Sequence, residues 1–220
     1  MNYLEKNPFK WPIAVIAGIL IWLAEIIFNL PAVLLWPGGD FTPFTQFHSD
    51  LGGTKPHPTR GHTNSPLGAQ FYNCGQVFQG LAIILFVGGL YVFYGEGKRS
   101  DRLIYIGQFF GFLVGIAMIM NGIYSVDFQP MHGQWSQVLF LSIFFAEIFV
   151  NIALYKHPKF KKTIAIYGLL AAAFNLAIVA LYDFLYPAFF LEYLAVYIAE
   201  SWLGLITLNI FINEVWKKEE

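Results

Sequence analysis

Two sets of side chains in this chain could do chemistry. The first is a group of histidines and carboxylates, His48, Asp50, His57, His62, Asp127 and His132, all in or beside polar connections. Three histidines with a carboxylate can hold zinc and leave a position open for water. The spacing here matches neither HExxH nor HxxxH, so His48, Asp50 and His132 are zinc candidates by residue type alone, and no cofactor is predicted. His57 and His62 read as solvated loop residues. The second set is Glu25, Glu147 and Glu200, each inside a long apolar run. A carboxylate at the centre of a bilayer costs about 2.5–3.5 kcal/mol even on the gentler scale. Such an acid must be protonated, hydrogen-bonded or neutralised by a bound cation. Asp183 and Glu192 stand nearer the ends of their runs.

The elements that must position these residues follow from composition. Of 220 residues, 57% are hydrophobic and 12% are charged, and the mean hydropathy is +0.55. Soluble domains carry about 25% charged residues. Apolar runs of this length predict an all-α integral membrane protein with six transmembrane helices. The spans fall at about 11–36, 70–94, 102–126, 132–155, 162–186 and 189–215, in a single transmembrane domain covering 1–220. The first run is too long for a signal-peptide core and reads as an uncleaved span. Pro12 suits the first turn of that helix, and Pro31 should kink it. Cys74 is the lone cysteine, which excludes an intrachain disulfide and a cysteine-based zinc cluster. The net charge of −1, with no basic patch, excludes nucleic acid as a partner. The bilayer is the expected one.

Lys and Arg are divided unevenly between the two sides. Eleven fall on the side of the termini and only Lys55 and Arg60 on the other. By the positive-inside rule both termini are cytoplasmic, in a plasma or bacterial inner membrane. The 37–69 connection then forms an outer cap, and none of the basic residues lies in a span interior.

Within the spans, polar and small residues gather on stripes at helical spacing. Helix 1 stacks Gly18, Trp22, Glu25 and Asn29. Helix 2 stacks Asn73, Gln76 and Gly80. Helix 4 stacks His132, Ser136, Glu147 and Asn151. Helix 5 stacks Gly168, Ala172, Asn175 and Asp183. Helix 6 stacks Glu192, Glu200, Thr207 and Glu214. Helix 3 carries Gly107, Gly111, Gly115 and Gly122, a surface for close backbone approach. Ala24-Glu-Ile-Ile-Phe-Asn-Leu30 resembles Ala146-Glu-Ile-Phe-Val-Asn-Ile152, and weaker likenesses pair helix 2 with 5 and helix 3 with 6. Two three-helix halves in opposite orientation, a 3+3 inverted repeat, are therefore expected. In the cap, Thr42-Pro43 as a helix start and Gly52-Gly53 as a stop predict a short amphipathic helix. Phe44, Phe47 and Leu51 would lie on one face, and Gln46 and Asp50 on the other.

Ser49-Asp50-Leu51-Gly52, Asn64-Ser65-Pro66 with Phe71-Tyr72-Asn73, and Asp127 followed by His132-Gly133 form a pattern. It resembles a six-helix prokaryotic membrane family, domain of unknown function 998, over most of the chain. The resemblance implies the topology above and implies that Asp50, Asn73 and His132 meet at one outer site. It carries no activity with it.

Nothing matches a phosphate loop, a serine-nucleophile elbow or a haem-ligating span, and no enzymatic arrangement is evident. The reading that asks least of the chemistry is an outward-facing polar pocket for a lipid headgroup or small polar ligand, built from Asp50, Asn73, Asn121, Asp127 and His132. A proton- or cation-coupled transporter using Glu25, Glu147 and Glu200 is the main alternative. A metal-dependent lipid hydrolase and a structural or assembly subunit are the others.

Overall fold

The computed structural model describes residues 7–56 and 63–216. His57 and His62 lie outside the described residues, as does the side chain of Asp183. Helices and turns make up the described chain, with no strand among the described residues. Six helices are long and apolar enough to cross a membrane. They are α1 (Ile13–Leu34), α2 (Pro66–Phe93), α3 (Lys98–Ile123), α4 (Met131–Tyr155), α5 (Lys162–Leu185) and α6 (Phe189–Trp216). Each helix packs on its successor and α6 packs back on α1, so the six close into a ring. The ring has a cap end, which carries the connection from α1 to α2, and a terminal end.

Local chemistry sets the boundaries. α2 begins at Pro66, four residues before the expected start at 70. Ser65 is its N-cap and its hydroxyl oxygen accepts the Gly68 N–H at 3.0 Å, while Pro66 occupies the first helical position, where no N–H is needed. In α1 the disturbance that Pro31 causes lies ahead of the proline. Glu25–Asn29 forms a wide π turn, with the Leu30 N–H bonded to the Glu25 carbonyl. Proline removes one ladder donor and its ring crowds the carbonyl four residues back, so the preceding turn opens.

The amphipathic cap helix does not form. The chain makes a turn at 43–46 and then a separate 3-10 helix, His48–Gly52. Side chains supply the bonds that a continuous helix would have taken from its own carbonyls. Gln46 Oε1 accepts the Thr42 N–H at 2.8 Å, and Asp50 Oδ2 accepts the Phe47 N–H at 2.8 Å. The two-faced pattern fails with it. Gln46, His48 and Asp50 are all buried, whereas Phe44 is 69% exposed.

The packing rests on close backbone approach. A Cβ on Gly80 of α2 would lie 2.6 Å from the Gly115 carbonyl oxygen of α3. The glycine row on α3 does not serve one neighbour, as its spacing implies. Gly111 and Gly115 meet Val87 and Ile84 of α2, but Gly107 meets Val150 of α4. The main apolar core fills the ring from its middle to its terminal end. A smaller cluster of Ala32, Trp36, Leu51 and Tyr72 sits beneath the cap. Between these apolar regions the ring holds polar side chains.

Candidate functional site

The polar centre lies where α1, α2 and α6 meet. Glu25, on the π turn of α1, accepts at Oε1 from the Asn29 amide at 2.7 Å and from Gln79 Nε2 of α2 at 2.6 Å. The same Gln79 nitrogen donates to Glu200 Oε1 of α6 at 3.1 Å. One amide therefore holds two carboxyl groups from two different helices. Gln79 is 1% exposed, Asn29 4% and Glu200 6%; Glu25 is half-buried. Three buried acceptor oxygens in this connected set, Asn29 Oδ1, Gln79 Oε1 and Glu200 Oε2, have no donor. Buried acceptors are nearly always paired, so a site with this surplus is suited to a proton or a cation.

An aromatic and histidine shell covers the set toward the cap. The Tyr197 hydroxyl donates to Glu25 Oε2 at 3.5 Å. Tyr197 stacks beside Tyr193, and the His48 ring stands edge-on to Tyr72, Tyr193 and Tyr197, at 5.3, 5.1 and 6.0 Å between centroids. His48 Nδ1 and the Tyr72 hydroxyl share a hydrogen bond of 3.1 Å. Burial pushes the His48 imidazole below its ordinary range, against a smaller upward pull from the Glu25 charge. The cap thus places a titratable ring above the carboxyl pair, with tyrosines between.

Helix periodicity explains why these residues coincide. Tyr72, Gln76 and Gln79 are spaced at zero, four and seven along α2, and Tyr193, Tyr197 and Glu200 repeat that spacing along α6. Both helices run from the cap end, so each presents a matching stripe. A stripe through Asn73, Gln76 and Gly80 is the one that polar and small residues alone predict on α2. Gln79, Tyr72, Tyr193 and Tyr197 escape that reading, although the zero-four-seven spacing marks them.

Glu147 does not join the pair. It is fully buried on α4, and its Oε2 accepts the Asn175 amide of α5 at 2.9 Å. One turn on, Asn151 donates to the Glu147 carbonyl at 2.6 Å and accepts the Trp202 indole N–H of α6 at 3.0 Å. α6 therefore touches both acid clusters with different faces.

The residues expected at an outer site divide into two groups, and many of their polar atoms hold backbone. Asp50 caps the 3-10 helix. The Asn73 amide donates to the Gly52 carbonyl at 3.1 Å. The Asp127 carboxylate receives the Thr54 and Lys55 N–H groups and the Thr54 hydroxyl at 2.7–3.0 Å. These three tie the cap connection to α2 and to the α3–α4 turn. His132 Nδ1 donates to the Tyr124 carbonyl at 2.9 Å, and the Ser136 hydroxyl donates to Asn121 at 3.5 Å. These two belong to the α3–α4 hairpin. His48 and Asp50 share the 3-10 helix, and His132 sits at the start of α4. Among the described residues no group of three His, Cys, Asp or Glu side chains is placed to hold a metal ion.

No family model matches the chain, and no curated protein or solved structure is significantly similar to it.

Proposed function

We propose that this is a multi-pass membrane protein that binds and releases a proton or small cation at the Glu25–Glu200 pair, in the service of coupled transport. The observation that carries this reading is the single Gln79 nitrogen held between the two carboxyl groups. Two carboxylates this close, in a low-dielectric surround, cannot both carry an uncompensated charge. Lys and Arg are absent from the span interiors. Beyond the amide hydrogen bonds, a proton or a cation lowers the charge that the pair must carry.

The charge division of the connections supports cytoplasmic termini and an outward cap. In that orientation His48 and the tyrosines form the outward approach to the pair. The Glu25–Asn29 and Glu147–Asn151 segments are similar in sequence, sharing Glu, Ile and Asn at corresponding positions of α1 and α4, which run in opposite directions, and this favours the inverted-repeat reading. The outward polar pocket built from Asp50, Asn73, Asn121, Asp127 and His132 has less support, because Asp50, Asn73, Asp127 and His132 hold backbone groups of the cap and the α3–α4 hairpin, and Asn121 accepts the Ser136 hydroxyl.

Infrared titration of the purified protein in lipid nanodiscs tests the proposal. A carboxyl C=O stretching band should appear and vanish with pH in the wild type and be missing from Glu200→Gln. No titrating carboxyl band in the wild type, or an unchanged one in Glu25→Gln, Glu200→Gln and the double variant, removes it.

A further inference from the structure

The two carboxyl groups of the pair differ in their supply of donors. Glu25 receives the Asn29 and Gln79 amides at Oε1 and the Tyr197 hydroxyl at Oε2. Both of its oxygens are engaged as acceptors, which suits a carboxylate. Glu200 receives the Gln79 amide at Oε1, and its Oε2 has no donor. Glu200 is also the more buried of the two, at 6% exposed against a half-buried Glu25. A negative charge is costlier where water and donors are both scarcer.

The orphaned atoms at Glu200 form a couple. Gln79 Nε2 serves the two carboxyl groups, while Gln79 Oε1 accepts from nothing. Glu200 Oε2 and Gln79 Oε1 are therefore two buried acceptors on side chains already joined through their other polar atoms. A carboxylic acid and a primary amide pair edge to edge. The amide N–H goes to one acid oxygen, and the acid O–H goes to the amide oxygen. The first of these bonds is in place, and the two atoms of the second are the ones without a donor. A single proton on Glu200 supplies it and leaves Asn29 Oδ1 as the remaining orphan of the connected set.

A metal cation suits these atoms less well. Hard cations gather several oxygen ligands. The position between the two carboxyl groups is taken by the Gln79 NH2, whose hydrogens repel a cation. Among the described residues no group of three His, Cys, Asp or Glu side chains is placed to hold a metal ion.

We propose that the ion exchanged here is a proton, carried on Glu200 Oε2 and donated to Gln79 Oε1, while Glu25 remains a carboxylate. The inference rests on reading the Glu25–Glu200 pair as the exchange site, and it names the ion. Uptake forms one O–H bond at Glu200 Oε2 and removes one of the pair's two negative charges. Release breaks that bond, leaves its electron pair on Oε2 and passes the proton to water. With the proton bound, Gln79 holds Glu200 by two hydrogen bonds. After release it holds it by one, with the amide oxygen set against a carboxylate, so proton loss loosens α6 from α2.

The test uses full-length protein in phosphatidylcholine nanodiscs. The carboxyl C=O band is followed by infrared titration in choline chloride and in the chlorides of Na+, K+, Li+ and Ca2+, at constant ionic strength. One midpoint in all five salts is expected. The titrating band should be lost in Glu200→Gln and kept, with a displaced midpoint, in Glu25→Gln. In Gln79→Leu it should move to higher frequency, because the acid then loses both bonds to the amide. A midpoint displaced by any of the metal cations overturns the proposal but leaves the pair an exchange site. So does a band that survives in Glu200→Gln and is lost in Glu25→Gln, or an unmoved frequency in Gln79→Leu. A wild type with no titrating band removes the exchange site itself. The salt series needs no variant, so it decides the matter even where a variant does not fold.

Discussion

Gln79 Nε2 lies 2.6 Å from Glu25 Oε1, a hydrogen bond joining α2 to the π turn of α1. It is short, and its acceptor also receives the Asn29 amide. The same nitrogen reaches Glu200 on α6, so replacing this one side chain unlinks three helices at once. Gln79→Leu keeps the approximate volume and deletes both bonds. A hydrogen bond to a charged group contributes about 1.5–3 kcal/mol, and roughly 1.4 kcal/mol is a factor of ten. The variant should therefore shift the titration of the carboxyl band by about one pH unit or more, as measured by infrared titration. An unshifted band would mean that Gln79 does not hold the pair.

Glu147 is expected to act in stability rather than with the Glu25–Glu200 pair. Its Oε2 has the Asn175 amide as partner. Asn175→Leu removes that donor and leaves a buried carboxyl group short of a bond. The expected loss is about 1–3 kcal/mol, seen as a lower thermal unfolding midpoint, while the titrating band of the Glu25–Glu200 pair stays in place. A band displaced as far as in Gln79→Leu would show that the two acid clusters act together.

The approach of α2 to α3 depends on Gly80. A Cβ there would stand 2.6 Å from a backbone oxygen, and backbone yields less readily than a side chain. Gly80→Ala should destabilise by about 1–3 kcal/mol through overpacking, and Gly80→Leu more. Gly88 is the control, because a Cβ added to it would meet nothing within 4 Å. Equal midpoints for Gly80→Ala and Gly88→Ala would contradict the packing described.

His48 makes stability depend on pH with a definite sign. Burial lowers its folded-state value below the ordinary 6.5. As pH falls through 6.5 the unfolded chain takes up the proton first, so the folded state loses stability there and levels off once the folded imidazole protonates. The unfolding midpoint should thus decline between about pH 7 and the folded-state value, and His48→Phe should flatten that part of the profile. A wild-type profile unchanged by His48→Phe would show that the ring titrates as it does in water.

Asp127 anchors the cap connection through the Thr54 and Lys55 N–H groups and the Thr54 hydroxyl. Asp127→Ala should speed amide exchange at Thr54 and Lys55 by at least about tenfold, since charge-assisted bonds contribute about 1.5–3 kcal/mol. Exchange at Leu81, deep in α2, should not change. Equal exchange at Thr54 in both proteins would remove the anchor.

Much of the architecture is legible in the residues themselves. Apolar run length depends on bilayer thickness alone, so six helices can be read without knowing any contact. Ser65-Pro66 marks a helix start locally, yet Pro66, Gly68 and Gln70 lower the hydropathy of the first turn of α2 and hide it from a hydropathy reading. The cap fails for the opposite reason. Periodicity there predicts one amphipathic helix, but Gln46 and Asp50 bind backbone N–H groups and divide it. A side chain's choice between solvent and backbone is not written in the spacing.

What the sequence alone determined is which residues are costly in a bilayer: Glu25, Glu147 and Glu200 stand in apolar runs, whatever surrounds them. What only the tertiary structure decided is how they are grouped. Glu25 and Glu200 lie 175 positions apart in the chain, and they share Gln79 because α6 closes the ring against α1. Glu147 faces α5 and joins Asn175 instead. Helical spacing fixes which face of one helix is polar, but the rotation and partner of each helix come from packing across the whole ring. That is why three similar acids in one chain become a pair and a separate single residue.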